Sequence, residues 1–335
     1  MAPSLLTSFS AIVLTTALVA TPTAAANSTA AHAPFGTIKS KPGACVVSDP
    51  NTYISPKDLQ WVWDNRMKSE VGAYDNWVMD HLVANKGTIN YCVRWDSQQS
   101  KLSKAQAAKF QAMLTRQLLR LHFAVYKTGS RPQGTRPARG WRVPLRRRLH
   151  LQDQHALWNR WLIGYNCWPY NEIKVNIVGW AAREASDLGW SDGSLGKIYI
   201  GDLDQDGVSQ CPENCYRSVD GSPGGWSESS GCDGKPFDIS LWPKQAMAAG
   251  LGGLGTYNFI QVDLNDMLEH IDDNELTIVA HEIGHSFGLP DFYEQPKPAN
   301  FKPCLMDALT SDALRDTDGW MLRRVLDNKK SKYNF

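Results

Sequence analysis

The sequence predicts an α+β protein: a twisted mixed sheet, a site-bearing helix late in the chain and a helical C-terminal part. Three observations predict it. Short segments rich in branched and aromatic residues recur between 88 and 264, as strands do. Two capped, amphipathic stretches lie around the first of them. From 273 the apolar period changes to that of a helix, which Gly288 and Pro290 bring to an end.

The elements follow in chain order. "SPKDLQWVWDNRMKS" opens with Ser55 as a cap, Pro56 at the first helical position and Asp58 at the third, a capping pattern that predicts a helix. "TINYCVRW", 88–95, reads as a strand. "SKAQAAKFQAMLTRQ" pairs Ser103 with Gln106 as a second capping box and continues as an amphipathic helix. "EIKVNIVGWA" (172–181), "GKIYIGD" and "YNFIQVDL" are further strands. "DNELTIVA" leads into the late helix, with Asp273 or Asn274 as its cap and Glu275 in its first turn.

Residues 1–26 hold an uncharged apolar core, "LLTSFSAIVLTTALVA", then small residues at Ala24 and Ala26. This fits an export signal cleaved near Ala26, although the amino terminus is its only positive charge. No other stretch is long and apolar enough to cross a membrane. The sequon "NST" at Asn27 abuts the cleavage point. The remaining length allows one large domain or two small ones. We expect an extension over 27–50 and a single domain over 51–335.

A net charge of +1 gives no global pull toward nucleic acid or an anionic membrane. Seven cysteines in an exported chain predict disulfides with one thiol left over. Cys45 and Cys92 both lie in strand-like segments and are our expected pair. A rival role for Cys45, metal coordination in a latent form, has a poor motif in "PGACVVSDP".

Two segments stand apart. No acidic residue occurs from Ser97 to Gln152, and "KTGSRPQGTRPARGWRVPLRRRL" concentrates arginine with glycine and proline. A polyanion-binding or cleavable loop is one reading. A disordered insertion, or non-coding sequence translated over about 122–152, is the reading we favour. "DLDQDGVSQCPE" places oxygens at Asp202, Asp204, Asp206 and Glu213 and a turn glycine at Gly207, the spacing of a calcium loop. Its setting is not that of an EF-hand, because a strand precedes it and Cys211-Pro212 interrupts the following helix. A polar turn is the favoured reading and a Ca2+ site the alternative.

The late helix carries "HEIGHSFGLPD". Residues four apart on a helix share a face, so His281 and His285 can address one ion. Glu282 lies further round, where it can take a proton from water instead of ligating. Gly288 can end the helix in the left-handed conformation, and the reversing chain can return Asp291 to the same ion. Two imidazoles, a carboxylate and an open fourth position form a catalytic Zn2+ donor set. After Glu294 the chain has no glutamate, which argues against a third ligand from a downstream glutamate helix and leaves Asp291 the better choice.

The pattern H-x-x-x-H-x-x-G-x-x-D, here His281, His285, Gly288 and Asp291, resembles the metzincin zinc peptidases. Its aspartate is similar to that of snapalysin-like and immune-inhibitor-A-like secreted bacterial enzymes. "HEIGHSFGLPDFY" with "DTDGWMLRR" (316–324) resembles a group of secreted microbial metzincin-like peptidases. The resemblance covers about 255–325 and extends back toward 160. It implies a metzincin-like domain with a twisted mixed sheet above the zinc helix, and a methionine turn at Met306 in "PCLMDAL". It also implies hydrolysis of a protein or peptide substrate, with Glu282 as general base. Tyr293 either supports the developing oxyanion or only packs. An extended peptide could add to an edge strand such as "YNFIQV". We expect a monomeric, extracellular endopeptidase without nucleic-acid or membrane partners. A zinc hydrolase of a non-peptide amide or ester is the nearer alternative. A non-catalytic zinc- or carbohydrate-binding protein is the other, suggested by 13 tryptophans.

Overall fold

The computed structural model describes residues 45–50, 53–96, 100–118, 157–220, 225–245, 247, 252–308 and 310–335. The export signal 1–26, the sequon at Asn27 and the basic stretch 122–152 lie outside the described residues, as does all of the 27–50 extension before Cys45.

The chain's local signals set the first helices. Ser55 Oγ accepts the Asp58 amide at 3.0 Å, and α1 (Pro56–Val62) starts there. It does not run on as one α-helix. Trp63–Met67 form a π-helical turn before α2 (Lys68–Ala73), and α3 (Val78–Ala84), which the sequence reading did not anticipate, follows. β1 (Thr88–Trp95) leads to α4 (Lys104–Leu118), where Ser103 and Gln106 exchange the reciprocal capping bonds expected of them.

β2 (Lys174–Ala182), β3 (Lys197–Ile200), β4 (Ile239–Lys244), β5 (Gly253–Gly255) and β6 (Phe259–Asp263) join β1 in a mixed sheet of order β3-β2-β1-β4-β6-β5. Every pairing is parallel except β5 with β6. "YNFIQV" is therefore not an edge. β6 has β4 on one side and β5 on the other, and the short glycine-rich β5 is the edge strand instead. The α+β class with a mixed sheet stands.

Strand parity sorts side chains between two cores. On β1, Ile89, Tyr91, Val93 and Trp95 enter the large core, while Cys92 points to a smaller cluster with Val178, Phe237 and Cys215. A register shift opposite Tyr91/Cys92 changes the parity of β2, so that Val175 and Ile177 hand over to Trp180 and Ala182 in the large core. This geometry overturns the expected Cys45–Cys92 bond. Cys92 faces the small cluster and pairs with Cys211, Cys215 pairs with Cys232, and Cys45 pairs with Cys167 where Val46 bridges Tyr165. Cys45 is thus committed to a disulfide and is no metal ligand. Cys304 is the free thiol, and it is buried.

α5 (Leu264–Glu269) and α6 (Thr277–Ser286) follow β6, and α6 packs against β5, β6 and α4. α7 (Asp316–Lys329) forms the helical C-terminal part. Its fully buried Lys329 meets both Asp80 carboxylate oxygens, at 2.9 and 3.1 Å, and fastens the end of the chain to α3. No helix among the described residues is long and apolar enough to cross a membrane.

Candidate metal centre

α6 begins later than its sequence cap suggests. Thr277 is the first helical residue, Asp273 bonds His270 instead, and Glu275 accepts the Leu314 amide. Its end is as expected. Gly288 has φ +91°, its amide bonds His285 O, and the Leu289 amide reaches Gly284 O at 3.2 Å. These two bonds make a Schellman close, which reverses the chain and returns Asp291 to the helix.

The return brings three ligand atoms together. One atom from each of His281, His285 and Asp291 lies within 4.8 Å of the others, and no other such group of three or more occurs among the described residues. Asp291 Oδ1 is 3.0 Å from His281 Nε2 and 3.4 Å from His285 Nε2. Each imidazole is oriented from behind. His281 Nδ1–H donates to Leu305 O at 2.9 Å and His285 Nδ1–H to Leu289 O at 2.8 Å. A carbonyl can only accept, so in the neutral rings both Nε2 lone pairs face the carboxylate. Three acceptors this close repel unless protons or a cation lie among them, and two imidazoles with one carboxylate are the donors zinc takes. The residues fit the ion.

The electrostatics agree with that geometry. Burial pushes the Asp291 carboxyl up, but the two imidazoles beside it win and hold it well below the usual carboxylate range. Burial lowers His285, and Asp291 more than compensates, so the imidazole holds its proton more strongly than usual. Protons and metal therefore compete for one site. Glu282 is fully buried, and both of its oxygens lack a hydrogen-bond partner. Burial, helped by the Asp291 charge and opposed by His281, pushes it up to about 8. An orphaned buried carboxylate 3.8 Å from His285 Nε2 needs a functional explanation.

Glycines make room for this carboxylate. A Cβ at Gly253 would collide with Glu282 Oε1, and one at Gly255 would lie 2.9 Å from Oε2. The edge strand can cross the Glu282 side chain only because both positions are glycine. "GLGGLG" carried the signal, and its glycine content is also why it did not read as a strand.

Met306 lies beneath the helix, fully buried, with its sulfur where a side chain at Gly284 would stand. Its carbonyl accepts the Phe292 amide at 2.8 Å, which ties the methionine segment to the residue after Asp291. Asp318 of α7 holds the segment from below, accepting the amides of Leu305 at 2.8 Å and Met306 at 3.0 Å. Leu305 O in turn orients His281. Nothing local in the sequence marked Asp318 for this. The Tyr293 hydroxyl is buried beside the Asp291 carboxylate, and burial with the Asp291 charge keeps it protonated far above its ordinary range.

The aspartate-rich loop is built differently. Asp204 Oδ1 accepts the amides of Asp206 at 3.0 Å and Val208 at 2.9 Å, and its other oxygen pairs with Arg94. Asp202, Asp206 and Glu213 do not join it to form a ligand cluster. Asp204 thus caps its own turn.

No protein-family model, curated protein or solved structure matches the chain. The functional reading therefore rests on the site itself.

Proposed function

We propose that the protein is a secreted zinc-dependent endopeptidase of the metzincin type, with His281, His285 and Asp291 as ligands and Glu282 as general base. The observation that carries the proposal is the buried, unpartnered Glu282 carboxylate beside three convergent metal donors. Two histidines and a carboxylate also suit iron(II). A dedicated base next to the donors favours an ion that activates water, and a site used only for binding has no need of one.

When bound, zinc lowers the pKa of a water to ~7 and polarises the carbonyl under attack. A cation among the three donors would draw the Glu282 carboxyl back below its raised value. The ionised group, close to the donors and shielded from bulk solvent by β5, would take the proton of the attacking water and pass it to the leaving amine. The protonated Tyr293 hydroxyl, buried beside Asp291, is the donor proposed for the oxygen that gains charge. β5 pairs with β6 on one side only, so an extended peptide can add along its other side and pass over Glu282. Three disulfides suit an oxidising, extracellular setting, in line with the expected export signal.

The test is cleavage of a diverse peptide library by purified protein beginning near Asn27, with ester and small-amide substrates in parallel. Peptide cleavage should stop with chelator and return with zinc. Glu282→Gln at matched zinc content should lower turnover roughly 100- to 10,000-fold. Equal turnover by the variant would remove Glu282 from the mechanism, and cleavage of esters alone would replace the endopeptidase reading.

A further inference from the structure

The loop that delivers Asp291 has no regular structure of its own. Between α6 and α7 the described residues form no helix or strand. The Schellman close and the Phe292 amide bond to Met306 O hold the backbone on either side of Asp291, and a side chain from the other end of the sequence holds the Asp291 carbonyl itself. Arg66 lies in the π-helical turn Trp63–Met67. Its Nη2 donates to Asp291 O at 2.9 Å, and its Nη1 donates to Glu294 O at 2.9 Å and Pro296 O at 3.1 Å. The Glu294 carboxylate, 3.5 Å from Nη2, completes the charge pair. The Arg66 side chain is 10% exposed.

We propose that Arg66 is a positioning residue for the metal centre, holding Asp291 at ligand distance by clasping the carbonyls of residues 291, 294 and 296. The inference rests on the zinc reading above. A guanidinium suits this task because its planar fork presents several fixed donors at once, whereas an ammonium is a compact point charge on a flexible stem. The π-turn belongs to the account. Such widened turns inside α-helices occur frequently at functional sites, and here one carries the residue that reaches across to the ligand loop. With the Asp291 carbonyl fixed from outside, the Asp291 carboxylate keeps its place against the two imidazoles. Losing the clasp frees the loop to carry the carboxylate away.

The experiment is a double-mutant cycle on zinc affinity, read by chelator competition in the full mature chain, with a weaker chelator for the low-affinity backgrounds. The proteins are the parent, Arg66→Met, Arg66→Lys, Asp291→Ala and Arg66→Met with Asp291→Ala. Thermal unfolding of each zinc-free protein gives the folded fraction. Arg66→Met should weaken zinc binding roughly 10- to 100-fold, the usual consequence of removing an outer-shell partner. Arg66→Lys should fall between, and it serves alone if the methionine variant does not fold. In the Asp291→Ala background the same substitution should change zinc affinity little, because Arg66 acts through Asp291. Equal weakening in both backgrounds, or zinc held as tightly by Arg66→Met as by the parent, overturns the role of Arg66 and leaves the zinc site intact. A parent that holds no zinc overturns the zinc reading and this proposal together.

Discussion

Two stretches of this chain have the composition of a metal site, and only one of them has the geometry. In 281–291 every group that could otherwise satisfy a ligand atom is directed elsewhere. The imidazole Nδ1–H groups go to Leu305 O and Leu289 O, so the remaining lone pairs face one another and Asp291. In 202–213 the opposite holds. Asp204 gives one oxygen to two amides of its own turn and the other to Arg94, and it does not converge with Asp202, Asp206 and Glu213 on one point. Ligand residues at the right spacing are common, and a site requires that their lone pairs remain uncommitted.

The largest effect should come from emptying the first region of a donor. Asp291→Ala should weaken zinc binding beyond the roughly 10- to 100-fold typical of outer-shell partners, and Asp291→His should recover part of the loss through a nitrogen donor. Asn at this position keeps the turn preference but offers only a neutral oxygen. If zinc retention in graded chelator ranks Asn above His, Asp291 is a turn residue and the contrast between the two regions collapses.

Asp318 supports the first region from below, and its own titration gives the next effect. Burial raises its carboxyl to about 6 from an ordinary 3.8, against the pull of three backbone amides. A carboxyl whose folded value lies above its unfolded one favours the native state in acid. That advantage, about 3 kcal/mol, is lost as pH rises from about 4 through 6. Asp318→Asn cannot ionise. Urea unfolding of zinc-free parent and variant should therefore show their difference shifting toward the variant by up to about 3 kcal/mol between pH 4 and 7.5. A difference independent of pH would mean that Asp318 titrates normally.

Gly253→Ala should have a smaller effect, about 1–3 kcal/mol of overpacking, as the strand moves off Glu282. Zinc content should be unchanged while peptide cleavage falls. Unaltered cleavage would show that β5 need not lie against the base.

How much of this was legible follows the range of each interaction. His281, Glu282, His285, Gly288 and Asp291 fall within eleven residues, so helix periodicity and one glycine suffice to place them. Ser55 with Asp58 and Ser103 with Gln106 are equally local, and α1 and α4 begin where they predict. β1, β2, β3 and β6 were readable from alternation. β4 contains Pro243, which argues against an interior strand, and β5 is Gly-Leu-Gly. Without β5, "YNFIQV" looked like an edge. Disulfide partners depend on which face each strand presents, and the parity change in β2 cannot be read locally. Arg66 and Asp318 act on the site across long sequence separations through backbone carbonyls and amides, which carry no residue identity.

The smallest expected effect lies in the second region. Asp204→Asn keeps the turn acceptor and loses only a partly buried ion pair, a change of about 1 kcal/mol or less. Millimolar calcium should leave the melting temperature of the parent unmoved. A calcium-dependent rise abolished by Asp204→Asn would restore the loop as a site.

The most direct measurement is native mass spectrometry of the purified protein after exposure to zinc, iron(II) and calcium together, with His281→Ala as its control. We predict one zinc per chain in the parent, no calcium, and loss of the zinc in the variant. Zinc retained equally by His281→Ala, or a parent that carries iron or no metal, would contradict the assignment of His281, His285 and Asp291 as a zinc centre.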